Sequence, residues 1–275
     1  MGNKHEVAVA YRVYPKLGRN AYLLEGWDKY KLSEVCLKSF LRSLSGVNYK
    51  IYAILDNCPQ KYHSLFSDLV PSDQLEIIRL PGIGNSATFA EQVKVLLTQN
   101  DSEIVYFSED DYFYLDNTFS EMLEVIKRKE VDFVTPYDHP DYYEDKSKPE
   151  TLRYSNLHRY KSEIIFEKRH WRTVTSTCCT FLTTKSTLKE TLEYFKLYPT
   201  LYDHGMWVCL TKLRRRHWNK LMTLKMYTFG LTHLLLGKSY KLWSPIPSIA
   251  THMSKLHIAP GIDWQILIER YSRNL

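Results

Sequence analysis

The chain has 275 residues, 44% of them hydrophobic and 25% charged, and its 37 Lys and Arg against 31 Asp and Glu give a net charge of +6. These are the values of an ordinary soluble globular protein with room for a substantial core, and the positive charge suggests an anionic partner such as phosphate, nucleic acid or acidic lipid. No run approaches 18 uninterrupted apolar residues, which argues against a membrane-spanning helix.

The aromatic content is high, with 21 Tyr, 11 Phe and 6 Trp. Flat rings suit stacking on sugars or bases, although many are expected to fill the core. Cys36, Cys58, Cys178, Cys179 and Cys209 are an odd set without paired metal-ligand spacing, so they read as reduced thiols of a cytoplasmic protein. The first residues are too polar for a signal peptide, and Glu6 stands where a myristoylation motif wants Ser or Thr.

Residues 7–14 (VAVAYRVY) read as a first strand. A helical stripe follows in residues 32–44, with Cys36, Leu37, Phe40, Leu41 and Leu44 on one face. Residues 49–55 form a second strand that stops at Asp56-Asn57-Cys58-Pro59, and residues 75–80 a third. After the turn at 81–85 a helix is predicted, with Thr88 and Glu91 spaced as a capping box and Phe89, Val93, Leu96 and Leu97 as its apolar face. A fourth strand, residues 103–107, runs into Glu109-Asp110-Asp111. Another helix starts at Asn117 and ends in Lys127-Arg128-Lys129, and residues 131–134 make a fifth strand. This alternation predicts an α/β fold with a mostly parallel central sheet flanked by helices.

The second half is more mixed. Residues 135–170 lose periodicity and are expected to form a surface excursion or mobile loop. Residues 174–183 read as one buried strand, and Thr187 with Glu190 as a capped helix. Residues 204–241 are helical in pattern and basic, including Arg214-Arg215-Arg216, while residues 246–264 are loop-like and hold His252, Lys255, His257 and Asp263. With no second boundary in view, residues 1–275 are taken as a single domain with a C-terminal helical and loop elaboration.

In open α/β sheets, ligands bind outside the carboxyl ends of the strands. Tyr11-Arg12, Asp56 and Glu109-Asp110-Asp111 all fall at such ends. Three adjacent carboxylates repel, so basic side chains or a metal ion are expected beside them. Carboxylate oxygens suit Mg²⁺ or Mn²⁺, which bridge protein carboxylates to substrate phosphates. On a strand, Glu109 and Asp111 point one way and Asp110 the other. A solvated acidic turn is the bland alternative, disfavoured by the apolar strand before it and by Asp56. Gly84-Asn85-Ser86 opens a helix whose free backbone donors suit an anion or a ribose.

On residues 7–14, residues 51–56 and Ser108-Glu109-Asp110-Asp111, the chain resembles the GT-A class of nucleotide-sugar glycosyltransferases, especially the inverting family-two-like enzymes. The Glu-Asp-Asp run stands as a variant of the Asp-x-Asp (DXD) motif, and the element order matches over residues 5–210. The resemblance implies that Asp56 contacts the nucleotide base, Asp111 ligates the metal, and Glu109 faces the ribose or a metal-bound water. Tyr11, Arg12, Asn85 and Asp110 would belong to the same donor site. Tyr202-Asp203 looks like the family's Glu-Asp motif, which makes Asp203 the general base on the acceptor hydroxyl. A late His completes the metal site in many such enzymes, a place that His252 or His257 fits, and Lys255 or His257 would reach the phosphates. The implied activity is metal-dependent, inverting transfer of one sugar from a nucleoside-diphosphate-sugar to a hydroxyl of a glycan or lipid-linked acceptor, as in polysaccharide biosynthesis. Residues 5–134 would then bind the nucleotide-sugar and residues 135–275 the acceptor.

Trp171, Tyr142 and Tyr143 are candidates for stacking on the acceptor, although a Trp near a strand is more often core, and Asp263-Trp264 for contacting it or for capping and packing a terminal helix. Residues 212–241 interleave basic and apolar side chains, a pattern of peripheral contact with the inner face of a membrane or of a solvated basic face. There is no Gln-x-x-Arg-Trp motif, so a processive synthase is disfavoured. The competing enzyme is a sugar-nucleotide nucleotidyltransferase, for which Tyr14-Pro15-Lys16-Leu17-Gly18-Arg19 is a poor match to the expected loop. A nucleic-acid-binding protein, favoured only by charge and aromatics, and a non-catalytic sugar-nucleotide binder are the remaining alternatives.

Overall fold

The computed structural model describes residues 4–18, 20–143, 163–166, 169–213 and 220–273. Strands β1 (Val7–Val13), β2 (Tyr49–Asp56), β3 (Leu75–Leu80) and β4 (Ile104–Glu109) are mutually parallel and stand in the order β3-β2-β1-β4. The chain winds outward from β1 to β3, then returns to lay β4 on the other edge of β1. The seam between β1 and β4 is therefore a topological switch point.

A short β5 (Tyr112–Tyr114) leaves the sheet. The sheet itself continues through β6 (Phe133–Val134), β7 (Ile164–Phe166), β8 (His170–Val174), β9 (Phe181–Thr184) and β10 (Leu242–Ile246), in the order β9-β6-β10-β8-β7 after β4. Only β8 and β9 run against the rest, so seven of the nine described strands of this sheet point one way. The mostly parallel α/β sheet expected from the alternating pattern is what forms. β11 (Ala250–His252) pairs antiparallel with β5.

The helices are α1 (Lys29–Ser43), α2 (Gln60–Leu69), α3 (Asn85–Thr98), α4 (Thr118–Ile126), α5 (Lys185–Glu190), α6 (Leu192–Phe195), α7 (Tyr198–Thr211), α8 (Lys220–Phe229), α9 (Leu231–Leu236) and α10 (Trp264–Arg273). Strand alternation sorts them into two layers. Val7, Val9, Tyr11 and Val13 of β1 face a core shared with α1, α2, α4 and α10, centred on Phe40, Phe66, Phe119 and Trp264. Ala8 and Ala10 face the opposite core, where Phe89 of α3 meets Phe195 and Tyr198, and Phe195 meets Trp207. Most of the aromatic surplus is spent here, in edge-to-face and stacked pairs such as Tyr11–Phe40 at 5.2 Å and Phe107–Phe181 at 4.4 Å.

Several expectations need correction. Thr88 does not cap α3, which starts three residues earlier behind Gly84; Thr88 Oγ1 donates to Asn85 O, and Glu91 pairs with Lys94. The entry to α3 is fixed from β2 instead. The Asp56 carboxylate accepts the backbone N–H groups of Gly82, Ile83 and Gly84 at 2.8, 2.8 and 2.9 Å, and both glycines hold positive φ there. Residues 174–183 are not one strand, because β8 stops at Val174 and β9 starts at Phe181. An apolar and β-branched run carries no mark of such an interruption. Thr184, not Thr187, caps α5, accepting from Thr187 N at 3.0 Å.

Residues 135–143 are not a surface excursion: Thr135, Tyr137 and Asp138 are buried, and Tyr137 Oη donates to His257 O. Residues 144–162 and Arg214-Arg215-Arg216 lie outside the described residues. The strands at 242–246 and 250–252 were not anticipated. Among the described residues, no helix is long and apolar enough to cross a membrane.

Candidate functional site

A cleft of about 590 Å³ opens at the carboxyl ends of β1, β2 and β4, the size of a small-molecule site. Arg12, Asp56, Asn85, Glu109, Asp110, Asp111 and His252 line it, joined by Lys16, Lys29 and His257. Three expected site residues do not line it. Tyr11 is buried between Phe40 and Phe66, because its odd position on β1 faces the α1 core. Lys255 is exposed outside the cleft, with its backbone N–H on Asn20 O. Asp203 lies on α7, also outside it.

Each carboxylate of the acidic triplet has its own basic partner. Glu109 is the register partner of Arg12 across the β1/β4 seam, and their side chains meet at 2.5 Å. Thr180 Oγ1 also donates to Glu109, at 3.3 Å. Asp110 points to the other layer, where Lys29 Nζ stands at 2.6 Å and Ser33 Oγ donates at 2.8 Å. Burial alone would lower the Lys29 pKa, but Asp110 overrides it and holds the ammonium above its ordinary value. Asp111, past the strand end, faces His252 Nε2 at 3.2 Å. Burial pushes its carboxyl up, yet His252, Lys29 and Arg12 together hold it well below the usual carboxylate range. The repulsion within the run is thus answered by side chains from β1, α1 and β11.

His252 arrives because β11 pairs with β5 in a register that sets it opposite Tyr112. Its ring is stacked between Tyr112 at 5.0 Å and His257 at 5.7 Å, both within 6° of parallel. The Nδ1 atom is buried without a hydrogen-bond partner, so stacking rather than a second hydrogen bond orients the ring. Among the described residues, no group of three or more His, Cys, Asp or Glu is placed to hold a metal ion alone. Mg²⁺ and Mn²⁺ do not need one, since they commonly take one or two protein ligands and fill the rest with phosphate oxygen and water. The pair Asp111–His252 fits that arrangement.

On α7 the backbone breaks at Tyr202, with φ 54° and ψ −173°, and Asp203 follows the break. Its carboxylate accepts the His204 N–H at 2.7 Å. Burial pushes the Asp203 carboxyl up, and the nearby Glu109 charge adds to the shift against the His204 hydrogen bond. Trp171 is 1% exposed and belongs to the core, so it cannot stack on an acceptor. Tyr142 and Tyr143 each lie 5.1 Å from the Arg172 guanidinium, which pairs with Asp138 at 2.8 Å.

Lys29 was missed by reading the sequence, although a signal was present. It is the first residue of α1, directly behind the Asp28 cap, where a cation opposes the helix dipole and calls for a carboxylate partner.

No family model matches the sequence, and no curated protein matches it. Solved structures do. GalNAc-T7 with UDP, GalNAc and Mn²⁺ aligns over 91% of this chain and 44% of its own, at 10% identity and a TM-score of 0.50. The fold is GT-A-like. The chain spans less than half the length of that neighbour. A 4-diphosphocytidyl-2C-methyl-D-erythritol synthase from Anaerococcus prevotii aligns over 98% of this chain and 97% of its own, at 8% identity and a TM-score of 0.45. A mannosyltransferase from Pyrobaculum calidifontis, in complex with GDP-Man and Mn²⁺, aligns over 51% and 38%, at 13% and 0.37. At such identities the likeness is one of fold, and in this GT-A-like frame the cleft occupies the ligand position of an open α/β sheet.

Proposed function

We propose that the protein is a metal-dependent glycosyltransferase that moves one sugar from a nucleoside-diphosphate-sugar to a hydroxyl of a glycan or glycolipid, with inversion. The observation that carries this reading is the switch-point cleft, where the Asp111–His252 pair stands beside Arg12, Lys16 and Lys29. That donor set suits a diphosphate bridged to protein through a divalent cation. The GT-A-like neighbour solved with UDP, GalNAc and Mn²⁺ supports the same donor class.

Asp111 and His252 would hold Mn²⁺ or Mg²⁺, whose part is to offset negative charge on the leaving diphosphate. The chain's own residues do the rest. Arg12 and Lys29 hold Glu109 and Asp110 in fixed positions at the cleft wall. Asp56 shapes the turn that presents Gly84 and Asn85 to the ligand, and base contact would come from this same corner. Asp203 lies beyond the cleft lining, and burial raises its pKa, with the Glu109 and Arg12 charges near enough to act on its carboxyl. It would take the proton as the acceptor oxygen attacks the sugar carbon.

A thermal-shift panel of nucleoside diphosphates with and without Mn²⁺ tests the reading. One nucleotide should stabilise the protein only with the metal, and the gain should vanish in Asp111→Ala and His252→Ala. No stabilisation by any nucleotide would sink it.

One observation favours nucleotidyl transfer instead: the loop after β1 brings Tyr14, Lys16, Gly18 and Asn20 into the cleft. The released product separates the two reactions, nucleoside diphosphate for glycosyl transfer and pyrophosphate for nucleotidyl transfer.

A further inference from the structure

Two helices that contribute no residue to the cleft, α8 and α9, are turned inside out for a soluble surface. Met226 and Leu234 are buried, while Leu221, Leu224, Tyr227, Phe229, Leu235 and Leu236 are exposed, Leu236 to 84%. Of the fourteen large hydrophobic side chains exposed among the described residues, eight fall between residues 213 and 236. A concentration of that kind marks an interaction surface.

The hairpin is anchored firmly from beneath. Gly230, between the helices, lies so close to α7 that an added Cβ would come within 2.6 Å of Cys209 Sγ. A Cβ on Gly205 of α7 would meet Met222 Sδ of α8 at 3.6 Å. The exposed leucines are thus the outer face of a packed layer.

Charge says what covers that face. Residues 212–241 contain eight Lys and Arg and no Asp or Glu, so the rest of the chain holds 29 cations against 31 anions. The whole positive balance of the protein comes from this segment. Glu190 and Glu163 reach Lys238 and Lys241 from outside it, whereas Lys220 and Lys225 lie on α8 among the exposed apolar residues. Exposed apolar side chains on a short helical layer, in a segment with cations and no anions of its own, match the acyl and phosphate levels of an anionic bilayer surface.

We propose that the outer face of α8 and α9 docks flat on an anionic lipid surface. Leu221, Leu224, Leu235 and Leu236 enter the headgroup boundary, and Lys220 and Lys225 engage lipid phosphates. The inference stands without the enzymatic reading, since it uses none of the cleft residues.

Co-sedimentation of the full chain with vesicles tests it. The protein should bind phosphatidylcholine vesicles doped with phosphatidylglycerol and ignore phosphatidylcholine alone. Binding should weaken at least tenfold between about 50 mM and about 500 mM salt. Lys220→Glu with Lys225→Glu should weaken it by about fivefold or more per site, and Leu224→Ser with Leu235→Ser should remove it while the melting temperature is unchanged. Should the variants unfold, hydrogen exchange on the wild-type chain supplies a second readout, with residues 220–236 protected only on anionic vesicles. Absence of anionic-vesicle binding overturns the proposal, as does equal binding by folded variants. So does a dimer in sedimentation velocity that Leu224→Ser with Leu235→Ser disperses, which would give the face to a second copy.

Discussion

Arg12 and Glu109 are neighbours in register on adjacent parallel strands, and their side chains close at 2.5 Å over the seam where the chain reverses its winding. The pair is 10% and 21% exposed, so each charge depends on the other for most of its solvation. Gln92 reinforces the seam from α3, donating to Ala10 O and Ser108 O at 2.8 and 3.0 Å. Removing Glu109 as Glu109→Gln strands the guanidinium and should cost about 2–3 kcal/mol after allowance for partial exposure. Urea titration checks this, and a double-mutant cycle with Arg12→Met should recover at least 1 kcal/mol of it.

Asp56 bears on stability. Three backbone N–H groups converge on its carboxylate, so Asp56→Ala should cost about 3–5 kcal/mol. A variant that kept full stability in urea and lost only nucleotide affinity would refute the structural role.

Tyr202 offers the opposite sign. Its φ of 54° with ψ −173° lies in backbone space that glycine alone enters freely, and its side chain is 54% exposed. Tyr202→Gly should therefore stabilise the fold by about 1 kcal/mol, net of the entropy of glycine. Calorimetry decides, and a lower melting temperature would show that the ring contributes more than the strain costs.

Asp203→Asn should lower turnover by about 10²–10⁴-fold, the usual weight of a general base, with nucleotide and Mn²⁺ binding unchanged. Loss of donor binding in the same variant would move Asp203 from the acceptor side to the donor site.

Cys58 is half-buried at the end of β2. Burial, and then the Asp110 and Asp56 charges, push its thiol up to about 12 from an ordinary 9.0. Its thiolate fraction near pH 8 falls by about a thousandfold, so the native protein should resist iodoacetamide there and react only as pH climbs toward 12. Rapid labelling of Cys58 at pH 8, read by mass spectrometry, would contradict the burial.

Most of the first half of the fold was legible because β1 to β4 carry mainly apolar runs and α1 and α3 an apolar face, whereas α2 between β2 and β3 was not read. The acidic triplet was legible as a run at the carboxyl edge of the sheet for the same reason, an abrupt polar end to an apolar strand. What it pairs with was not, since Lys29 and His252 are set by where α1 and β11 pack, and that information is tertiary. Trp171 stood open between acceptor stacking and core because a Trp beside polar residues reads alike in both, and it is core. β10 escaped notice since LWSPI contains a proline, which a strand tolerates only where its missing N–H is not needed.

Three consecutive residues tie together regions that are translated far apart. Glu109, Asp110 and Asp111 reach Arg12, Lys29 and His252, so the turn after β4 clasps the start of the polypeptide to its final strand. A nascent chain can pair its first four strands and settle Arg12 and Lys29 long before the ribosome delivers residue 252. Until then Asp111 has no imidazole to face, and Tyr112 lacks the ring that stacks on it. Shortening the gene from its 3′ end to just before β11 would thus leave the walls of the cleft standing and its floor unfinished.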